Sequence, residues 1–240
     1  PTYNMLANLL STRSESEAAE LLANSFAQFQ WVRNTRNMNS GLIQEVQFRR
    51  NVLEATGLAD GWSLTETGMP LTKIFNESDL LVTRAISDGI LDGLPPEELA
   101  ALVSCFIFRS RGKEKRGKKS RESENFINES IKELMILNDE IERIEVGFGI
   151  QPNTPPDPGF AKVVFDWVSG RTLSEVLTKE LTGGEFVRNI RLSVDLLKQI
   201  SNVAAPETAK LSLRTVELME RGVVSLGGEF ESEVLQEKGL

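Results

Sequence analysis

The chain has 240 residues, 40% hydrophobic and 26% charged, an ordinary balance for one large or two small folded domains. It has no histidine and a single cysteine, Cys105, which excludes Ser-His and Cys-His catalysis, most zinc sites and any disulfide within the chain, and fits a reducing cytoplasm. The formal net charge of −8 argues against nucleic-acid binding through the overall field, so any such contact needs a local positive stripe.

From the N-terminal end, PTYNMLANLL is a Pro-Thr turn running into an apolar helix over 3–10, with no initiator Met, and reads as excised from something longer. A second helix fits 15–29, where Leu21, Leu22, Phe26 and Phe29 recur at helical spacing and Ser14 or Ser16 supplies the cap. Residues 31–42 are polar and Asn-rich, a linker or loop. A third helix runs from Glu45 to Ala55 and ends at Gly57. GWSLTETGMPLTKIF follows, with short alternating segments around a Glu66-Thr67-Gly68 turn. Three helices and a small hairpin are the order of a winged helix, which assigns a first domain to 1–75.

From Asn76 onward nearly everything is helical, so the fold class is mainly α, a winged helix followed by a multi-helix bundle over 76–240. One helix fits 77–91. Pro95 and Pro96 stand where a first turn needs no N–H partner, and LAALVSCFIF (99–108) is apolar all round, as a central buried helix is. Residues 109–121 hold eight Lys/Arg and one Glu, a local +7, leaving about −15 on the rest. A helical period resumes over 122–145, QPNTPPDPG (151–159) is a loop, and helices fit 160–168, 172–179, 185–203 and 206–220, the last stopped by Gly222. There is no internal repeat. No apolar run approaches the ~18 residues of a membrane span, so no membrane partner is expected.

Two motifs mislead. Gly112, Gly117, Lys118 and Ser120 nearly spell a phosphate loop, but Lys119 stands where Ser or Thr must follow the lysine to hold magnesium. ELMILNDEIE (133–142) mimics an apolar strand ending in an acid pair, yet its apolar residues keep helical period and put Asp139 and Glu140 on the outer face.

Several stretches, in this order, resemble the superkiller/exosome-associated family of DExH RNA helicases. ESDLLV (77–82), GLPPEELAALVSCFIF (93–108), GFAKVVFDWVSGRTLSEVL (159–177), GGEFVRNIRLSVDLLKQI (183–200) and MERGVVSLG (219–227) are similar to the C-terminal DSHCT bundle. PTYNMLANLL, SFAQFQ (25–30) and RRNVLEATGLADGW (49–62) resemble the winged helix that joins motor to bundle. The actinobacterial HelY-like branch is the nearest likeness. The motor domains, with their phosphate loop and DExH box, are not in this sequence, and only a short linker stands near 31–44, where the family inserts a long arch.

The resemblance implies an accessory region of an ATP-dependent RNA helicase. ATP and magnesium then belong to the motor, with no cofactor or metal in this chain and no turnover expected of it alone. The implied partners are single-stranded RNA, motor domains of the same polypeptide and RNA-decay factors, in the cytoplasm. In such enzymes one bundle helix lines the RNA channel as a ratchet and RNA is drawn 3′ to 5′ across it; residues 185–203 occupy that place.

Helical geometry describes the same segment independently. At about 100° per residue, Phe186, Ile190, Val194, Leu197 and Ile200 share one face. Arg188, Arg191, Asp195, Lys198 and Gln199 fall within an opposite arc of about 100°. Arg188 and Arg191, one turn apart, suit successive phosphates, and Asp195, similar to the family's acidic ratchet position, suits a base edge or sugar hydroxyl. Leu192 interrupts the polar arc. An ordinary amphipathic helix with a wet face is the alternative. Arg111, Lys113, Lys115, Arg116, Lys118 and Lys119 form either a solvated segment or a non-specific RNA tether. Trp167 and Phe165 read as core aromatics and Trp62 as a wing or core residue. A rival assignment is a stand-alone winged-helix nucleic-acid-binding or interaction module, which would bind duplex DNA through 45–57, where Arg49 and Arg50 sit, as a dimer.

Overall fold

A computed structural model describes residues 1–23, 41–110, 128–178 and 181–225, and over these the chain is mainly α with one small hairpin. It forms two compact units, Pro1–Asp88 with Met135–Pro155, and Gly89–Leu134 with Pro156–Leu240. Residues 24–40, 111–127, 179–180 and 226–240, which include SFAQFQ and most of the basic segment, lie outside the described residues.

In the first unit, α1 (Tyr3–Thr12) is capped by Thr2, whose hydroxyl accepts from the Met5 amide at 3.1 Å. It buries Tyr3, Leu6, Ala7 and Leu10 at helical spacing. Ser14, rather than Ser16, opens α2 (Glu15–Ala23): its amide donates to the Glu17 carboxylate at 2.8 Å, and the Glu17 amide points back to its hydroxyl. α3 (Leu42–Ala55) packs on both, burying Val46, Val52 and Leu53, and Gly57 with φ +75° turns the chain out of it.

The hairpin lies earlier than the sequence pattern indicates. β1 (Ala59–Asp60) pairs antiparallel with β2 (Ser63–Leu64), Ala59 opposite Leu64 and Asp60 opposite Ser63, so Gly61 and Trp62 make the turn. The alternation expected around Glu66-Thr67-Gly68 belongs instead to a 3₁₀ run, Glu66–Lys73, capped by the Thr65 hydroxyl, which accepts from the Gly68 amide. Only glycine fits at position 68, since a Cβ there would lie 1.9 Å from the Leu58 carbonyl oxygen. The run packs against α1 and against α4 (Asp79–Ser87). The long helix α6 (Glu129–Gly147) adds Leu137, Ile141 and Glu145 to this unit. After it, the Asn153 amide donates to the Glu77 carbonyl at 2.8 Å.

The second unit is built around α5 (Pro96–Ile107), which precedes α6 in the chain. Extended Pro95 leads into Pro96 at the first turn, and every residue from Leu99 to Phe106 is buried. Packed on it are α7 (Ala161–Val168), α9 (Gly183–Ser201) and α10 (Pro206–Met219). A 3₁₀ turn, Pro158–Phe160, precedes α7, and the single-turn α8 (Leu173–Val176) follows it, ending three residues before the expected 179. Ser130, Ile131 and Leu134 of α6 are buried here, and Asn128 caps that helix by accepting from the Ile131 amide at 3.0 Å.

Candidate nucleic-acid interface

The orientation of α9 is set at its first turn. The Thr182 hydroxyl accepts from the Glu185 amide, and the Glu185 carboxylate accepts from the Thr182 amide, each at 3.2 Å. Phe186 then enters the core with its ring edge-on to Trp167 at 5.1 Å and to Phe160 at 6.2 Å. Ile190, Val194, Leu197 and Ile200 follow as the expected buried stripe, widened by Ser193 and Leu196. Ser193 is accommodated because its hydroxyl donates to the Asn189 carbonyl at 2.9 Å.

That anchorage puts the four predicted contact residues on the opposite, outer face, in unequal states. Arg188 and Asp195 are exposed, with no ion-pair partner among the described residues. Arg191 is half-buried and donates to the Val224 carbonyl at 3.4 Å, a long and weak bond. Lys198 pairs with the Glu220 carboxylate at 2.9 Å. Both side chains of this pair are nearly half exposed, so water and salt limit it to at most about 1 kcal/mol. Leu192 is 40% exposed beside them, an apolar member of the same face.

Two of the four residues therefore meet the turn that follows α10, and that turn is itself pinned. The Arg221 guanidinium lies 3.6 Å from the centre of the Trp167 ring and donates to the carbonyls of Trp167 and Arg171, each at 2.5 Å. Its partial burial lowers its proton affinity from the ordinary arginine value. The Trp167 indole N–H donates to the Met219 carbonyl at 3.0 Å. Trp167 is thus a core residue, as expected, and Phe165 is half-buried. Arg221 was legible only as part of MERGVVSLG; nothing in its spacing indicates that it caps a tryptophan more than fifty residues earlier.

Arg111, Lys113, Lys115, Arg116, Lys118 and Lys119 lie outside the described residues. Just before them, the Ser110 amide and hydroxyl both donate to the Asp157 carboxylate, at 2.9 and 2.6 Å. In the other unit Arg49 and Arg50 are engaged within the fold. Arg49 pairs with Glu45 at 2.6 Å and lies 5.6 Å from the Tyr3 ring centre, and Arg50 reaches Glu15 at 3.5 Å. Trp62 donates its indole N–H to the Arg13 carbonyl at 2.8 Å.

The same unit holds a buried polar cluster that residue spacing does not reveal. The Tyr3 hydroxyl donates to Glu145 at 2.7 Å, and Asp79 accepts from the amides of Asn4 and Leu80 at 2.7 and 2.8 Å. Burial raises the carboxyl of Asp79 to about 6, against the opposing pull of those amides and of Arg49. Burial likewise pushes Glu145 upward. Among the described residues no group of three or more His, Cys, Asp or Glu is placed to hold a metal ion. No helix among them is long and apolar enough to cross a membrane.

The model of the DSHCT (NUC185) domain family matches residues 61–226, a span that contains all of α9 and the turn at 220–224. The chain belongs to the DSHCT family. It is 29% identical over 225 residues to the probable helicase HelY of Mycobacterium tuberculosis (strain H37Rv), covering 89% of this chain and 23% of that protein. The probable helicase HelY of Mycobacterium leprae is 31% identical over 197 residues, 78% of this chain and 21% of that one. The ATP-dependent RNA helicase mtr4 of Schizosaccharomyces pombe is 24% identical over 172 residues, 68% and 16% respectively. The chain thus spans less than a quarter of the length of these curated relatives.

Proposed function

We propose that this chain is the C-terminal accessory region of an ATP-dependent superfamily 2 RNA helicase and that α9 lines the path of single-stranded RNA. The observation that carries the proposal is the exposed Arg188, one turn from Arg191 and two from Asp195, on a helix whose other face is locked into the core. Arg188 and Arg191 meet phosphates, which position a strand without reading its sequence. Asp195 accepts from a sugar hydroxyl or a base edge, and a 2′-hydroxyl donor distinguishes RNA from DNA. Grip and path are this region's contribution. ATP, magnesium and the hydrolysis step belong to motor domains of the whole enzyme, whose motion draws the strand 3′ to 5′ across α9.

The name of the mtr4 relative, an ATP-dependent RNA helicase, supports RNA as the substrate; RNA-decay factors as partners belong to the same proposal. The winged-helix assignment of residues 1–75, its role in bracing the motor domains and the tethering role of the basic segment belong to the same proposal. So do the separation of a bundle at 76–240 and the cytoplasmic location. A stand-alone duplex-binding module is less well supported, because Arg49 and Arg50 already serve ion pairs inside their own unit.

The test is a fluorescence titration of labelled single-stranded RNA across a salt series. Each neutralised phosphate adds about −0.7 to the log-log slope, so replacing both arginines, Arg188→Ala with Arg191→Ala, flattens it by roughly 1.4. Thermal melting of the double variant checks that the fold is intact. Equal slopes with RNA binding retained would show that the stripe is only a solvated helix face.

A further inference from the structure

We infer that Glu220 controls how much of the α9 stripe is open to phosphate, by holding Lys198 in the RNA-free protein. The inference rests on the proposal that α9 binds single-stranded RNA. Lys198 lies ten residues beyond Arg188, about 15 Å along the helix axis, and extends the cationic stripe past Asp195. It is the last cation of that face, and its ammonium is 2.9 Å from the Glu220 carboxylate.

Glu220 stands on a firm backbone. Its amide closes the last turn of α10 on the Val216 carbonyl at 2.9 Å. The next residue, Arg221, is fixed over Trp167 and by two carbonyls. Gly222 follows with φ +54°, a left-handed conformation that keeps the turn tight. Arg221 is therefore a positioning residue, which presents the carboxylate to Lys198 and the Val224 carbonyl to Arg191. The pair is open enough to water for a phosphate to displace the carboxylate.

The consequence lies in the salt dependence. A free lysine that meets a phosphate releases a condensed counterion from the strand and adds to the slope. A lysine already neutralised by Glu220 exchanges one anion for another, and the displaced carboxylate takes a cation back from solution. With Glu220 in place, Lys198 therefore adds little to affinity. Without that carboxylate it becomes a full phosphate contact.

The experiment is the salt-series titration of labelled oligouridylate with the 240-residue chain and its variants. Glu220→Gln keeps the shape and removes the charge. It should tighten binding about two- to fivefold at low salt, the scale of an exposed ion pair, and steepen the slope by about 0.7. In a Lys198→Gln background the same change should add no further steepening, which separates a local effect from the general loss of one negative charge. Arg221→Lys, which keeps the charge but cannot reach both carbonyls, should shift the slope in the same direction as Glu220→Gln. A Glu220→Gln slope equal to wild type, or a steepening that survives without Lys198, would overturn the inference while leaving the α9 proposal standing. Failure of the wild-type chain to bind the strand at any salt would overturn both.

Discussion

Asp79 is the residue whose setting most exceeds what its identity suggests. A carboxylate at 2% exposure costs free energy when ionised, and two backbone amides and the field of Arg49 repay only part of it. Its pKa of about 6 lies above the ordinary 3.8, so the folded chain binds the proton more tightly than the unfolded chain does. The associated stability is fully present below about pH 3.8 and is lost as pH rises through about 6, on the order of 3 kcal/mol in total. Glu145 shifts in the same direction. Glu17 and Glu175, held below the ordinary glutamate range by their cap hydroxyls and amides, act oppositely and at lower pH. Between pH 5 and pH 7.5, melting temperatures should therefore fall, and Asp79→Asn should flatten that fall. An unchanged pH profile in the variant would show that the Asp79 proton is not the cause.

At the scale of the element, α9 illustrates how one helix is locked so that its other face is turned outward. Its own sequence supplies the start, through the Thr182–Glu185 box, and the apolar stripe. Phe160 and Trp167 supply the walls against which Phe186 stops. Phe186→Ala should cost about 3–5 kcal/mol, because a fully buried ring leaves a cavity that the surrounding aromatics cannot close. Thr182→Ala should cost about 1 kcal/mol through the lost cap. Arg188→Ala should leave stability within about 0.5 kcal/mol, since exposed positions away from such features rarely move it further. Urea denaturation of the three variants measures this order directly. A Phe186→Ala variant as stable as Arg188→Ala would mean that α9 is not held by its aromatic contacts.

For the molecule as a whole, the balance of roles follows from what the chain carries. Its sheet, among the described residues, is a two-stranded antiparallel hairpin, whereas phosphoryl-transfer motors cradle nucleotide phosphates on a loop at the end of a parallel strand. The near-match at 112–120 is broken by Lys119. Purified chain should release no phosphate from ATP above a buffer control, with or without RNA. RNA-stimulated turnover would sink that expectation. On the proposal that α9 lines the RNA path, the arginine substitutions should lower unwinding by a whole enzyme more than its basal ATP hydrolysis, because they would act on the strand and not on the nucleotide.

The helix order, the central apolar helix and the polar stripe were all legible in the sequence because amphipathic period and capping are local. Each is decided by residues within a turn or two, as with Thr182 and Glu185 or Pro95 and Pro96. The family was legible for a related reason: its motifs are runs of neighbouring residues in a fixed order. The hairpin was misplaced because a short alternating pattern fits a tight 3₁₀ run as well as a strand, and the close approach of the Leu58 carbonyl that requires glycine at position 68 is marked by no local pattern. Tertiary structure alone decided what the stripe can offer. Arg188 and Arg191 look equivalent by spacing, yet one is exposed and the other meets the Val224 carbonyl, and Lys198 is occupied by Glu220, twenty-two residues on. The elevation of Asp79 likewise depends on burial against α1, seventy-five residues away at Asn4. Charge partners and burial are set by which segments meet in space, and no local period in the chain encodes that meeting.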